Sequence, residues 1–393
     1  MGKFVTDREE IVVRLKKALY GCLQAAKLWF NLLTAELLKL GYVQNQYDPC
    51  VLNRKVDDKQ STLVIHVDDI KIASAVPGEV DLVYTALVKK FGNVALNRGP
   101  VVNYLGMTFD YRVSGRVRIT MLGYEQDLVK DWKEATKDFK ITSGGAVSPA
   151  TNAIFEKGSG EMLGGLKRKL FHTFVMKVAY LAKRTRPVLS VCTSYLSTQV
   201  TCPNENDFLK LDRLMRYVEG TTGEGIVLEA EGNSEINVTG HIDSSFGCHV
   251  DGKSQSGVFI TLGKGPVYVR SAKQRIVTKS STEAELVATS DEAVTVLSVF
   301  DFVRAQGYKA KFVIGQDNLS TIQLITNESN ESMRTKHINV RYFWLREKHQ
   351  ASEFTITYVP TGMMIADVLT KPMQGAMFRR FVKMLGNDVG TVT

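Results

Sequence analysis

Apolar residues at spacings of three and four (Leu15, Leu19, Trp29, Leu32, Leu33, Leu37) predict a helix over about residues 11–41, stopped at Gly41. A hairpin pattern follows: VLNRK, the polar turn VDDKQ, STLVIHV, the turn residues Asp68 and Asp69, then IKIAS. DLVYTALVKKFG reads as a helix, YLGMTFDYR and RVRITM as short strands. Residues 140–166 are rich in Gly, Ser and small polar residues and read as a linker. Two helices are predicted near 167–200 and 205–219, the second ending at Gly220. From about residue 236 the pattern is three strands (INVTGHIDSS, SGVFITLG, GPVYVRSA), a helix (282–305), a strand (KFVIGQD), helices at 318–327 and 336–349, the strand EFTITYVP and a last helix. This succession predicts an α/β chain in three regions, 1–140, 141–235 and 236–393, the last a mixed α/β sheet. No internal repeat or low-complexity tract interrupts it.

Length and composition suit a folded protein: 393 residues, 44% hydrophobic, mean hydropathy −0.08. The 50 basic and 41 acidic residues give a net charge of +9, compatible with a polyanionic partner without requiring one. Five scattered cysteines (Cys22, Cys50, Cys192, Cys202, Cys248) contain no CxxC pair and read as reduced thiols. No apolar run reaches the roughly 18 residues of a membrane span, and MGKFVTDREE has no signal-peptide core. The expectation is a soluble, intracellular protein with no membrane partner.

Four acids change the picture: Asp243 in GHIDSS, Glu285 in SSTEAELVA, Asp317 in VIGQDN and Asp367 in ADVLTKP. The pattern puts Asp243 on the first strand of the last region and Glu285 one turn into its first helix. Asp317 closes the next strand, and Asp367 falls near the start of the last helix. Singly, such an acid reads as a cap or turn residue. Four of them at strand ends and helix starts of one α/β succession point to a divalent-metal site. Oxygen-only ligation favours two Mg2+ or Mn2+ ions over zinc. Asp68 and Asp69 are a second acid pair, which in isolation reads as a surface turn.

The words GHIDSS, SSTEAE, RTKHINVRYFWLRE and YVPTGMMIADVLTKP resemble the ribonuclease H domain at the end of copia-type LTR retrotransposon Pol polyproteins. The resemblance implies cleavage of the RNA strand of RNA–DNA hybrids, with Asp243, Glu285, Asp317 and Asp367 as catalytic metal ligands. Glu283 lies two residues before Glu285, a turn of about 200° on a helix, so only one of them can face the metals. Glu285 is chosen, and Glu283 is read as a helix-start residue. Where relatives often carry Asp-Ala-Asp, this chain has Asp243-Ser244-Ser245-Phe246. Ser280 and Ser281 read first as helix caps and second as phosphate contacts. His337 is a candidate substrate contact, with a structural role as the blander reading.

RLKKALYGCLQAAKLWF, YDPCVLNR, HVDDIKIAS, YLGMTFDYR, YLAKRTRPVLS and LMRYVEGT resemble the later half of a copia-type reverse transcriptase and its connection to ribonuclease H. The resemblance thus runs from about residue 3 to 380. It names 1–140 as a truncated palm/thumb-like region, 141–235 as a linker and helical connection, and 236–393 as the ribonuclease H-like domain. It also makes Asp68 and Asp69 metal ligands of an incomplete polymerase site. The family's third polymerase Asp lies upstream of LKKALYG; here fourteen residues precede Leu15, and Asp7, Glu9 and Glu10 sit in a polar run unlike a palm strand. His66 stands where an aromatic residue normally precedes the acid pair. The chain alone is therefore expected not to polymerise DNA.

Lys16, Lys17, Lys27, Lys273, Arg275 and Lys279 are candidate nucleic-acid contacts, with a solvated surface charge as the blander reading, and Arg184 and Arg186 stand apart in KRTRP, a phrase that resembles the family's connection. Tyr20, Trp29 and Phe30 read as core. The expected partner is an RNA–DNA hybrid, and the expected location the cytoplasm, in a virus-like particle, and/or the nucleus. Two alternatives stay open: a non-catalytic nucleic-acid-binding remnant or host-recruited scaffold, and a functional reverse transcriptase if an N-terminal half is supplied.

Overall fold

The structure is a computed structural model of the chain. It describes residues 15–16, 18–19, 21–139, 141–142, 144–158, 160–230, 232, 234–326 and 339–388, with backbone only at 339–340 and 387–388, and the short paired strands Phe4–Val5 and Ile11–Val12. It is a mixed α/β structure in two compact units, Met1–Asn97 and Arg98–Thr393.

In the first unit four antiparallel strands lie in sequence order: Val43–Gln44, Val51–Val56, Lys59–His66 and Asp69–Ser74. Ser61, Leu63 and Ile65 alternate inward on the third strand, the period of two that a half-buried sheet requires. Leu33 and Leu37 of the helix Leu23–Lys39 and Val83 and Leu87 of the helix Glu79–Phe91 complete this core. The first helix is shorter than the 11–41 its periodicity predicts. Gly21, at φ 89°, and the extended Cys22 set its start, and Leu15 and Leu19 stay exposed before it.

The second unit holds two sheets. One contains Val101–Tyr104, Met107–Asp110, Arg116–Thr120 and Gly225–Ala230 as antiparallel neighbours in that order. The other has the order Tyr268–Val277, Lys253–Thr261, Ile236–Ser245, Ala310–Gln316, Thr355–Tyr358. Its first three strands are antiparallel and its last two run parallel to Ile236–Ser245, the expected mixed sheet. The helix Ser281–Ala305 lies against this sheet, burying Leu286, Ala293 and Val296 on Val238, Ile242 and Ile314.

Three expectations change here. The stretch 140–166, read as a linker, is partly packed into the core: among its described residues Ala150, Ile154, Phe155 and Leu163 are buried with Phe171, Phe174 and Phe208. The helix expected near 167–200 is two helices, Gly165–Ala182 and Ser190–Gln199, split by a 3-10 turn beginning at Pro187, whose ring cannot continue the ladder. Finally, the divisions at 140 and 235 do not coincide with the units. Leu128 and Trp132 of the helix Leu122–Thr136 share one core with Phe259, Leu369 and Phe378.

Candidate metal centre

Four elements meet at one end of the five-stranded sheet. Ile236–Ser245 carries Asp243, fully buried near its end. The strand Ala310–Gln316 runs parallel beside it and delivers Asp317 just past its last residue. Glu285 rides on the first turns of the helix Ser281–Ala305. Ser280 caps that helix, its Oγ accepting from Glu283 N at 3.2 Å, while Glu283 Oε2 accepts from Lys279 N at 2.8 Å. Glu283 is thereby engaged at the start of the helix, as its position in the first turn suggested.

Asp367 arrives on a 3-10 turn, Ile365–Leu369, rather than at the start of the last helix, which begins at Gly375. That turn reaches the sheet over Gly257, the ladder partner of Asp243. A Cβ at Gly257 would stand 2.8 Å from Leu369 Cβ and 2.8 Å from Thr370 Cγ2, so only glycine lets the turn lie this close.

Carboxylate oxygens of Asp243, Asp317 and Asp367 all lie within 4.8 Å of one another. Glu285 closes the group from the helix side: its Oε1 accepts from Ser244 N at 3.2 Å and its Oε2 from Gln316 Nε2 at 3.3 Å. Burial pushes the Asp243 carboxyl up to about 6; Lys371 opposes this and Asp367 adds to it. Burial, then the charges of Asp243 and Asp317, raise Glu285. Asp317, half-buried, is raised by burial and by Asp243. Three carboxylates with oxygens this close, and Glu285 beside them, could hold a divalent cation.

The sequence reading missed the groups that hold these acids. Lys371 Nζ lies 2.7 Å from Asp367 Oδ1 and 3.6 Å from Asp243 Oδ2. Burial alone would lower this lysine, but Asp243 and Asp367 outweigh it and hold it above its ordinary value. The Thr370 hydroxyl donates to Asp243 Oδ2, and Thr361 Oγ1 donates to Asp317 Oδ2 at 3.0 Å. Lys371 stands one helical step after Asp367 within ADVLTKP, a signal the sequence did contain.

The first unit's acids are arranged differently. The tight turn is Val67–Asp68, and Asp69 is the first residue of the next strand, paired with His66. The two acids therefore do not share the turn as expected; both are exposed. Val67 adopts φ 57°, a strained conformation for a β-branched residue, and its carbonyl accepts from Trp29 Nε1 at 2.8 Å. Among the described residues no third acid joins Asp68 and Asp69 in a metal-binding group.

Of the basic candidates, Arg186 is corrected outright. It is completely buried, with Nη1 2.7 Å from Glu125 Oε1 and 3.0 Å from Thr221 O, and it is a core tie rather than a phosphate contact. Arg184 is half-buried with its guanidinium 3.4 Å over the Tyr180 ring. Lys273 is paired with Asp251 at 2.8 Å. Lys16, Lys27, Arg275 and Lys279 are exposed. Lys17 and His337 lie outside the described residues, as does Tyr20. No helix among the described residues is long and apolar enough to cross a membrane.

Residues 1–143 match the reverse transcriptase (RNA-dependent DNA polymerase) family. The Retrovirus-related Pol polyprotein from transposon TNT 1-94 of Nicotiana tabacum is 25% identical over 390 residues, covering 98% of this chain and 29% of that polyprotein. That from transposon RE1 of Arabidopsis thaliana is 28% identical over 383 residues, covering 97% and 25%. The truncated transposon Ty1-A Gag-Pol polyprotein of Saccharomyces cerevisiae is 22% identical over 382 residues, covering 94% and 31%. The chain thus spans between a quarter and a third of these relatives. The foamy viral protease-reverse transcriptase solved with double-stranded DNA matches 87% of this chain and 50% of that chain, at 12% identity and a TM-score of 0.49. Residues 1–143 thus match the reverse transcriptase family, and nearly the whole chain is similar to a segment of copia-type retrotransposon Pol polyproteins.

Proposed function

We propose that the second unit is a ribonuclease H that hydrolyses the RNA strand of RNA–DNA hybrids. The observation that carries this reading is the convergence of Asp243, Asp317 and Asp367, from three separate stretches of chain, to within 4.8 Å. The group sits at the end of a mixed sheet with Glu285 closing it. Mg2+ or Mn2+ ions bound there would activate a water and stabilise the leaving oxygen of the phosphodiester.

The chain's own residues set the stage for that chemistry. Asp243 is fixed by the ladder and by Thr370, and Asp367 by the turn over Gly257. Asp317 is the least buried of the acids and is the ligand nearest incoming substrate. Lys279 and Arg275, exposed just before the long helix, are placed for phosphate contacts that give salt-sensitive, sequence-independent affinity. Asp68 and Asp69, with no third acid beside them among the described residues, do not support DNA polymerisation by this chain alone.

The test is cleavage of a labelled RNA–DNA hybrid in Mg2+, beside Asp317→Asn and Asp243→Asn. The parent is expected to cut, each variant to lose nearly all cleavage while keeping its melting transition, and EDTA to stop the parent. A parent that binds hybrid in Mg2+ without cutting it would overturn the reading in favour of a non-catalytic nucleic-acid-binding remnant.

A further inference from the structure

Gln316, the last residue of the strand Ala310–Gln316, is completely buried between that strand and the helix Ser281–Ala305. Both ends of its amide are in use. Nε2 donates to Glu285 Oε2 at 3.3 Å and to Thr289 Oγ1 at 3.1 Å. Oε1 accepts from Asp317 N at 2.8 Å and from Asn318 N at 2.9 Å. Two donors and two lone pairs are the whole capacity of this group, and all four are taken.

We propose that Gln316 is the positioning residue of the metal centre: one neutral, buried amide ties the helix-borne ligand Glu285 to the strand-borne ligand Asp317. The role rests on the metal-centre reading above. Glu285 has three rotatable side-chain bonds and faces the negative charges of Asp243 and Asp317, so repulsion favours rotamers that leave the group. Ser244 N holds Oε1 at 3.2 Å, and a second donor is needed to hold Oε2. A cation there would neutralise the centre, as Lys371 partly does; an amide holds Glu285 and leaves its charge for the metal. The same side chain, through its oxygen, fixes the backbone from which Asp317 projects and meets the N–H groups that open the helix Leu319–Thr326. Thr289 receives the second amide hydrogen without being one of the acids, which makes it the natural control.

Mg2+ binding by calorimetry and hybrid cleavage are measured on the full chain for the parent, Gln316→Met, Gln316→Glu and Thr289→Val. Methionine keeps the volume and loses both ends of the amide. Glutamate keeps the acceptor for Asp317 and Asn318 but faces Glu285 with a like charge. Expected for Gln316→Met are Mg2+ affinity weaker by about 10–100-fold, lower kcat with the KM for hybrid unchanged, and partial recovery of kcat in excess Mg2+. Thr289→Val should leave both quantities within about twofold of the parent, because it loosens the amide without freeing an acid. If Gln316→Met does not fold, Gln316→Glu carries the test, with lower kcat at unchanged KM expected. Loss by the Gln316 variant no larger than that of Thr289→Val, in a parent that binds Mg2+ and cuts, overturns the positioning role alone. A parent that neither binds Mg2+ nor cuts overturns the metal-centre reading and this role with it.

Discussion

Lys371 Nζ lies 2.7 Å from Asp367 Oδ1 and, in the same position, 3.6 Å from Asp243 Oδ2. One ammonium is thus shared by two of the acids that face the centre. Replacing it with methionine leaves Asp243 buried against Asp367 with no cation near. Breaking a fully buried pair costs about 3–5 kcal/mol; the Lys371 side chain is 42% exposed, so a loss of about 1–2 kcal/mol is expected for Lys371→Met without divalent ions. Millimolar Mg2+ should recover much of it. Melting in EDTA and in Mg2+ checks both halves, and equal stability of parent and variant in EDTA would contradict the shared-ammonium role.

Gly257→Ala tests whether the 3-10 turn carrying Asp367 must touch the sheet. The added methyl meets Leu369 and Thr370 at 2.8 Å, so the turn must retreat and take Asp367 and Thr370 away from Asp243. Overpacking of this kind costs about 1–3 kcal/mol. The loss of cleavage should exceed what the stability change explains, with kcat down at least tenfold, roughly, in a protein still folded at the assay temperature. A folded variant with parental kcat would show that the close approach is dispensable.

The pH dependence of stability has a separable component in His241. Burial lowers its pKa from 6.5 to about 4, and its Nδ1 has no hydrogen-bond partner. Because the folded-state value is depressed, the unfolded chain takes up the proton first as pH falls. Stability from a neutral His241 is therefore complete above about 6.5 and is lost as pH falls towards 4. Asp243, raised from 3.8 to about 6, acts in the opposite sense in metal-free protein: its contribution is gained as pH falls through 6. Comparing the parent with His241→Gln isolates the histidine. The parent should lose ground to the variant by roughly 1.4 kcal/mol per pH unit across that window, in urea melts run from pH 7 to 4. A pH-independent difference would rule out the neutral buried ring.

Arg186→Ala should destabilise the second unit by about 3–5 kcal/mol, since it strands Glu125 in the core without its cation. The salt dependence of hybrid binding should not change in protein that remains folded. Weaker binding with a shallower salt slope would instead return Arg186 to the phosphate contacts.

The five-stranded sheet and its acids were legible because the local signals agreed. The strand Ile236–Ser245 alternated over its first part, Ser280 and Glu283 marked the helix start, and Asp243 and Asp317 fell at or near strand ends. Arg186 was not legible, because an arginine in a polar phrase looks the same whether Glu125 meets it in the core or water surrounds it. Nor were Ile154 and Phe155, which lie among glycines and serines and are buried only because the helices around Phe171 and Phe208 close over them. Pro187 did announce the break between Ala182 and Ser190, and the helical periodicity on either side masked it. The tie through Gln316 to Glu285, 31 residues away, depends on which side chains the fold stacks together, and no single stretch of sequence reports that.

The core that joins Trp132 and Phe208 to Phe259, Leu369 and Phe378 bears on how such a segment can be divided or exchanged. Leu369 sits two residues from Asp367, so apolar packing far from the acids and the placement of one acid depend on the same few side chains. A protease cut or recombination joint near residue 235 would strip one wall from that core and loosen the turn that brings Asp367 to the sheet. The acid-bearing sheet thus depends for part of its support on the helices upstream of residue 235, and the two are expected to gain or lose stability together.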